Sequence, residues 1–264
     1  MSPDLAFMST LLLRMAVTAV FVLFAAMVTE RAGPTIGALV ATLPISTGPV
    51  YVFLALDHDS AFIAQGALAS LPINAATIAF GAIYVRLAQD HGVAVSFGGG
   101  LLGWFAIAGL VQAFQWNLVE GVLLNIATYA ICLPLTRRFR FVAMPPFVRR
   151  WYDMPFRAGL VAVLVGTVVM LSRWVGPTVT GILAVFPVVF SSLILILHPR
   201  IGGRATAAVV ANGLRGLVGF GIGLLVLHLG ALHAGSTVGL LLGLATCVVW
   251  NFGLWWFGRR ALAR

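Results

Sequence analysis

Apolar residues fall along this chain in long uninterrupted blocks. Runs of roughly 20 such residues are long enough to cross a bilayer as helices. Nine can be counted, at about 8–29, 33–56, 60–88, 92–113, 117–136, 157–173, 176–198, 203–229 and 235–257. Short polar or charged connections separate them. The pattern predicts an all-α polytopic membrane protein with nine transmembrane helices.

The pattern also repeats. Gly33 to Leu54 reads GPTIGALVATLPISTGPVYVFL, and Gly176 to Leu197 reads GPTVTGILAVFPVVFSSLILIL. They align without a gap at an offset of 143 residues, with Pro34 on Pro177, Ala41 on Ala184, Pro44 on Pro187 and Leu54 on Leu197. The match reaches back to Arg14 on Arg157. Beyond Leu54 the offset becomes 140, which places Phe80-Gly81 on Phe220-Gly221 and Gly99-x-x-x-Gly103 on Gly239-x-x-x-Gly243. A fixed offset of this kind marks an internal duplication. Spans 1–4 then match spans 6–9, and the unpaired span 5 turns the second copy over. The expected organisation is a first four-helix repeat (1–113), a linker helix (114–140), a basic-aromatic cytoplasmic loop (141–156) and a second, inverted repeat (157–264). Small residues four apart let helix backbones approach closely in lipid, so the paired Gly-x-x-x-Gly motifs predict helix contacts between or within the repeats.

Composition agrees with the block pattern. Residues are 61% hydrophobic and 9% charged, against about 25% charged in soluble domains. All 16 basic residues are arginine, and the formal charge is +9. Under strict alternation, Arg31, Arg86, Arg137, Arg138, Arg140, Arg149, Arg150, Arg200, Arg204, Arg259 and Arg260 share one side. Asp4, Asp57 and Asp59 fall on the other with Arg173. The positive-inside rule puts the N-terminus outside and the C-terminus in the cytoplasm. Topology accounts for the excess charge, so nucleic-acid binding is not expected. The loop containing Arg137 to Arg150 interleaves arginine with aromatic residues and suits anionic lipid headgroups. Cys132 and Cys247 lie inside apolar runs and suggest neither a disulfide framework nor a metal site. With no basic segment before the first span, a cleaved signal peptide is not expected.

The candidate chemistry lies where helices should break. Pro44 and Pro187 interrupt spans 2 and 7 at equivalent positions, and each frees backbone groups that lipid cannot satisfy. Matching interruptions in two halves point to a transporter's central site. Ser46, Thr47 and Gly48 follow the first proline, and Ser191 and Ser192 follow the second. Arg215, in Asn212-Gly-Leu-Arg-Gly, lies about twelve residues into span 8 and is the candidate counter-charge for an anion. An arginine at such depth costs about 2.5–3.5 kcal/mol or more and should face a cavity or the protein interior. Asn74 lies in the counterpart region of span 3. Arg14 and Arg157 are candidate symmetric gates, and Glu120 is the sole acid inside a predicted span. No metal-ligand cluster, nucleophile–base set or phosphate loop appears, so neither an enzyme nor a cofactor is expected.

The segment Gly181-Ile-Leu-Ala-Val-Phe-Pro187, followed by an apolar run and His198, resembles the GlpM-type family of small four-helix bacterial membrane proteins. Gly37-Ala-Leu-Val-Ala-Thr-Leu-Pro44 is the first-half version. The resemblance covers roughly residues 157–260 and implies a bacterial inner-membrane protein of two such bundles, without implying a substrate. The expected function is a transporter, working as an exporter, of a small anionic or amphipathic solute. A passive channel and a non-transporting assembly factor for envelope lipid or polysaccharide are the alternatives. The sequence leaves oligomeric state open, a homo-oligomer included.

Overall fold

A computed structural model describes residues 3–31, 43–142, 145 and 150–262, with backbone alone at 3–7, 26, 28–31 and 259–262. The described residues form α1 (Pro3–Arg31), α2 (Thr47–Asp57), α3 (Ser60–Leu87), α4 (Val93–Gln112), α5 (Leu118–Arg137), α6 (Asp153–Ala184), α7 (Val188–Ile201), α8 (Gly203–Gly213), α9 (Gly216–Ala234) and α10 (Ser236–Leu262). No strand occurs among them. Seven are long and apolar enough to span a membrane: α1, α3, α4, α5, α6, α8 with α9 as one unit, and α10. The stretch 33–42 of the expected second span lies outside the described residues.

The bundle is organised around α3. In its membrane-length window 72% of residues are buried, against 17% to 39% in the other six. α4, α5, α6 and α9 all pack on it. Its start is fixed by Asp59, whose carboxylate accepts the Phe62 N–H at 2.8 Å and so satisfies an orphan donor of the first turn. The outer helices turn side chains such as Leu102 and Val249 outward. That is where lipid, not water, is the solvent.

The chain's course can be followed along α3. α8 and α9 run antiparallel to it. A Cβ on Gly203 would touch the Ala88 carbonyl, and one on Gly81 would touch Leu214. His228 Nδ1 lies 2.7 Å from the Ala64 carbonyl oxygen. α6 starts at the far end of α3 and reaches the near end, where Ser172 Oγ lies 2.9 Å from His58 Nε2. There the chain doubles back at Gly176, whose φ of 72° favours glycine. The last turns of α6 and then α7 descend along α3, to the contact between His198 Nδ1 and Tyr84 OH at 2.8 Å. Expected spans 6 and 7 are thus two arms joined at a glycine. Span 8 is itself interrupted, between α8 and α9 at Leu214-Arg215.

Both Gly-x-x-x-Gly motifs pack within their own half. Cβ atoms on Gly99 and Gly103 would meet Leu87 and Ile83 of α3. Those on Gly239 and Gly243 would meet the backbone of α9 at Ala231 and Gly223. Contacts between the halves are made instead by α3 on α9 and by α1 on α6.

Candidate functional site

The two proline interruptions have the same backbone structure. At the first, Ile45 N–H donates to Leu43 O (2.7 Å) and Gly48 N–H to Pro44 O (2.8 Å). At the second, Val188 N–H donates to Phe186 O (2.7 Å) and Ser191 N–H to Pro187 O (2.8 Å). Each is a tight three-residue turn centred on the proline, followed by a fresh helix. Pro187 has φ −75° and ψ 47°, near the inverse γ-turn minimum. The two stretches that align at an offset of 143 residues therefore also share a local hydrogen-bond pattern.

Breaking a helix in lipid leaves carbonyls that must find donors. At the second break they do, one after another. Gly181 O accepts from Ser70 Oγ (2.7 Å) and Ala184 O from Thr47 Oγ1 (3.0 Å). Val185 O accepts from Thr77 Oγ1 (3.3 Å). Ile182 O and Leu183 O take the N–H groups of Val185 and Phe186. Tyr51 OH joins Ser70 Oγ at 2.7 Å, and Trp104 Nε1 donates to Thr77 Oγ1 at 3.1 Å. Thr47, at the first break, thus caps the second. The structure brings the two interruptions together, through a hydroxyl and a carbonyl. Ser191 and Ser192 are buried but bond back to Pro187 O and Val189 O of their own helix. Ser46, also buried, makes no capping hydrogen bond to α2.

The surroundings of the breaks differ. Phe186, at the second, packs against Trp104 and Phe105 of α4 with ring centroids 5.2 and 6.3 Å away. Beside the first lies a cavity of about 620 Å³ between α1, α2, α9 and α10. Its wall includes Leu43, Pro44, Thr47 and Gly48, with Thr18 of α1 and Leu244 of α10. Among the described residues, the remaining lining is almost entirely aliphatic and aromatic. The contrast follows the aligned positions: Leu101-Leu102-Gly103-Trp104 aligns with Leu241-Leu242-Gly243-Leu244, and Phe186 with Leu43. Where one half has Trp and Phe, the other has two leucines, and the volume stays open.

The remaining predicted residues lie elsewhere. Arg215 is not in the cavity wall. It sits in the turn between α8 and α9, where Trp250 Nε1 donates to its carbonyl (3.0 Å). Its charge, after burial, helps depress the pKa of Arg140 beyond the end of α5. Asn212, exposed, donates to Arg140 O at 3.2 Å. The structure therefore does not bring Arg215 or Asn212 to the chamber beside the first break. Gly81 of α3 is level with Leu214, seven residues or about 10 Å from Asn74 towards the arginine-rich end.

Asn74 is fully buried at the centre of α3. Its amide donates to Asn125 Oδ1 (3.0 Å), Tyr129 OH (2.6 Å) and Leu217 O (3.2 Å), tying α3, α5 and α9 together. Glu120 forms a capping box with Asn117 at the start of α5. Arg14 makes a two-pronged ion pair with Asp57 (2.7 Å for Nη2 to Oδ1) and stands 5.7 Å from the Phe53 ring. That arginine's hydrogen bonds hold the Asp57 carboxyl below the usual carboxylate range. A second such pair joins Arg200 to Asp153, both bonds 2.6 Å. It lies one turn from Arg157 and involves two residues the sequence did not single out. Asn125, a lone amide in an apolar run, was a visible signal. The Asp153 pair was not, because charges at helix ends usually read as topology signals.

Taken together, these features define an all-helical, multi-pass membrane protein with paired helix breaks and an apolar chamber beside one of them. No family model, curated protein or solved structure matches the chain.

Proposed function

We propose that this protein is a bacterial inner-membrane transporter, working as an exporter, of amphipathic solutes, and that the chamber beside Pro44 holds the solute's apolar part. It is built from two inverted four-helix repeats joined by α5, with nine crossings and the N-terminus outside. Three features support the inverted repeat: the identical turns at Pro44 and Pro187, the matching use of Gly-x-x-x-Gly, and the pairing of α1 with α6 and α3 with α9.

One observation carries the functional reading. The chamber opens at a helix break where the duplicate position is filled by Trp104 and Phe186. Its volume lies within the range of small-molecule sites, which are concave, largely apolar and carry few polar groups. Thr18, Thr47 and Tyr51 give the wall its hydroxyls. A small inorganic anion fits these walls poorly, since a charge without a partner is costly to desolvate. The amphipathic half of the sequence expectation is therefore favoured over the anionic half.

The test is flux in proteoliposomes with radiolabelled alkyl sulfonates from ethane- to dodecanesulfonate, with alkyltrimethylammonium ions of equal length as the opposite charge. Permanent charge suppresses unassisted crossing. Saturable, protein-dependent flux that rises with chain length is expected. No protein-dependent flux at any length, or flux indifferent to length, would overturn the proposal.

A further inference from the structure

The two Arg–Asp pairs occupy corresponding places in the two halves. In the first, Arg14 of α1 holds Asp57, the last residue of α2. In the second, Asp153, the first residue of α6, holds Arg200 near the end of α7. At the offset of 143, Asp57 aligns with Arg200, and Asp153 lies one turn before Arg157, the equivalent of Arg14. The connection is kept and its polarity reversed. Each arginine also has an aromatic ring nearby, Phe53 for Arg14 and Tyr152 at 5.4 Å for Arg200. Both carboxylates are largely sheltered, with 13% and 3% side-chain exposure.

The position of the pairs matters as much as their chemistry. α2 and α7 are the second halves of the two broken spans. Each begins at a proline turn and ends at an ion pair. The first pair adjoins the start of α3, and the second lies near His198, which contacts Tyr84 towards the other end. Twenty-four residues separate Ser60 from Tyr84, or about 36 Å of helix. The pairs therefore stand at opposite ends of the bundle.

We propose that α2 and α7 are hinged arms, each pivoting at its proline turn and latched at its tip by an Arg–Asp pair, so that releasing one latch opens one face of the membrane. This deepens the transporter reading and rests on it for its purpose, though not for its geometry. A turn that already lacks continuous helix hydrogen bonds bends at little cost, whereas the two-pronged pair at the tip is geometrically specific. Reversed polarity is what a conserved mechanical link would tolerate. A conserved binding charge would not be expected to invert. An arm of 11 residues is about 16 Å long, so a swing of about 20° carries its tip about 6 Å.

The test uses the full chain in lipid nanodiscs, with Cys132 and Cys247 replaced by alanine and spin labels placed in pairs. Val52 on α2 and Leu195 on α7 are each paired with Val163 on α6, all three being outward-facing. Asp57→Asn is expected to add a longer distance to the 52–163 pair, by about 3 Å because Val52 lies midway along the arm, and to leave 195–163 unchanged. Arg200→Gln should do the reverse. The exchange Arg14→Asp with Asp57→Arg copies the polarity of the second half and should restore the original distribution. Unchanged distributions, or both pairs broadening together in either variant, would overturn the proposal. Arm movement as predicted, in a protein without alkyl sulfonate flux, would retain the latches and reject the solute chamber.

Discussion

At the residue scale, single atoms decide how closely the halves meet. A Cβ on Gly181 would lie 2.1 Å from the Gly66 backbone oxygen, whereas one on Gly159 would meet nothing within 4 Å. Gly181→Ala must push α6 away from α3 and should cost about 1–3 kcal/mol, measured as a lower melting temperature in detergent. Gly159→Ala should be neutral. A second prediction concerns His58, which burial chiefly holds below the ordinary imidazole value of 6.5. The fold favours the neutral ring, so its contribution is complete above pH 6.5 and is lost as pH falls towards the depressed value. Melting temperature should therefore decline on acidification below pH 6.5, and His58→Gln should remove that part of the decline. Some of these residues were legible in the sequence. Thr47 stood out as a hydroxyl beside a proline and Asn74 as an amide in an apolar run. The role of Thr47 was not legible, because its acceptor, Ala184, is 137 positions away.

At the scale of elements, the proline turns were the clearest signal in the chain, and the structure puts them in contact. What the sequence could not reveal is that the freed carbonyls are already occupied. Ser70 and Thr77 on α3 take them, so these carbonyls are part of the packing and not a ready coordination site. Removing one hydroxyl, as in Ser70→Ala or Thr77→Val, should destabilise by about 0.6–1.7 kcal/mol, the range of interhelical hydrogen bonds in lipid. Thermal melts of the single and double variants check this. The double loss should exceed either single loss, since the two acceptors, Gly181 O and Val185 O, both lie just before the same turn. Around Arg215, by contrast, apolar length alone did not show the separation of α8 from α9 at Leu214-Arg215.

At the scale of the whole molecule, the two aligned parts of the sequence show both likeness and difference. Both proline turns have the same hydrogen-bond pattern, and each leads into a helix that ends at an Arg–Asp pair. They diverge where Trp104 and Phe186 close one break while Leu244 and Leu43 leave the other open. Chain order and block length made the helices legible, but a cavity depends on side-chain volume across four helices, which no local pattern encodes. The decisive substitution is Leu244→Trp, which places in the chamber the residue found at the aligned position, Trp104. Leu244 is 46% exposed, so the larger ring has room to enter without forcing the backbone, and the melting temperature should be nearly unchanged. Dodecanesulfonate flux should fall about tenfold or more if the chamber holds the chain, since lost complementarity of about 1.4 kcal/mol is a factor of ten. The mirror change, Trp104→Leu, should behave in the opposite way. It removes a buried ring at a cost of about 2–3 kcal/mol in stability and leaves flux per folded molecule intact, because α4 does not line the chamber. Equal loss of flux in both variants would mean that the two breaks work as one site.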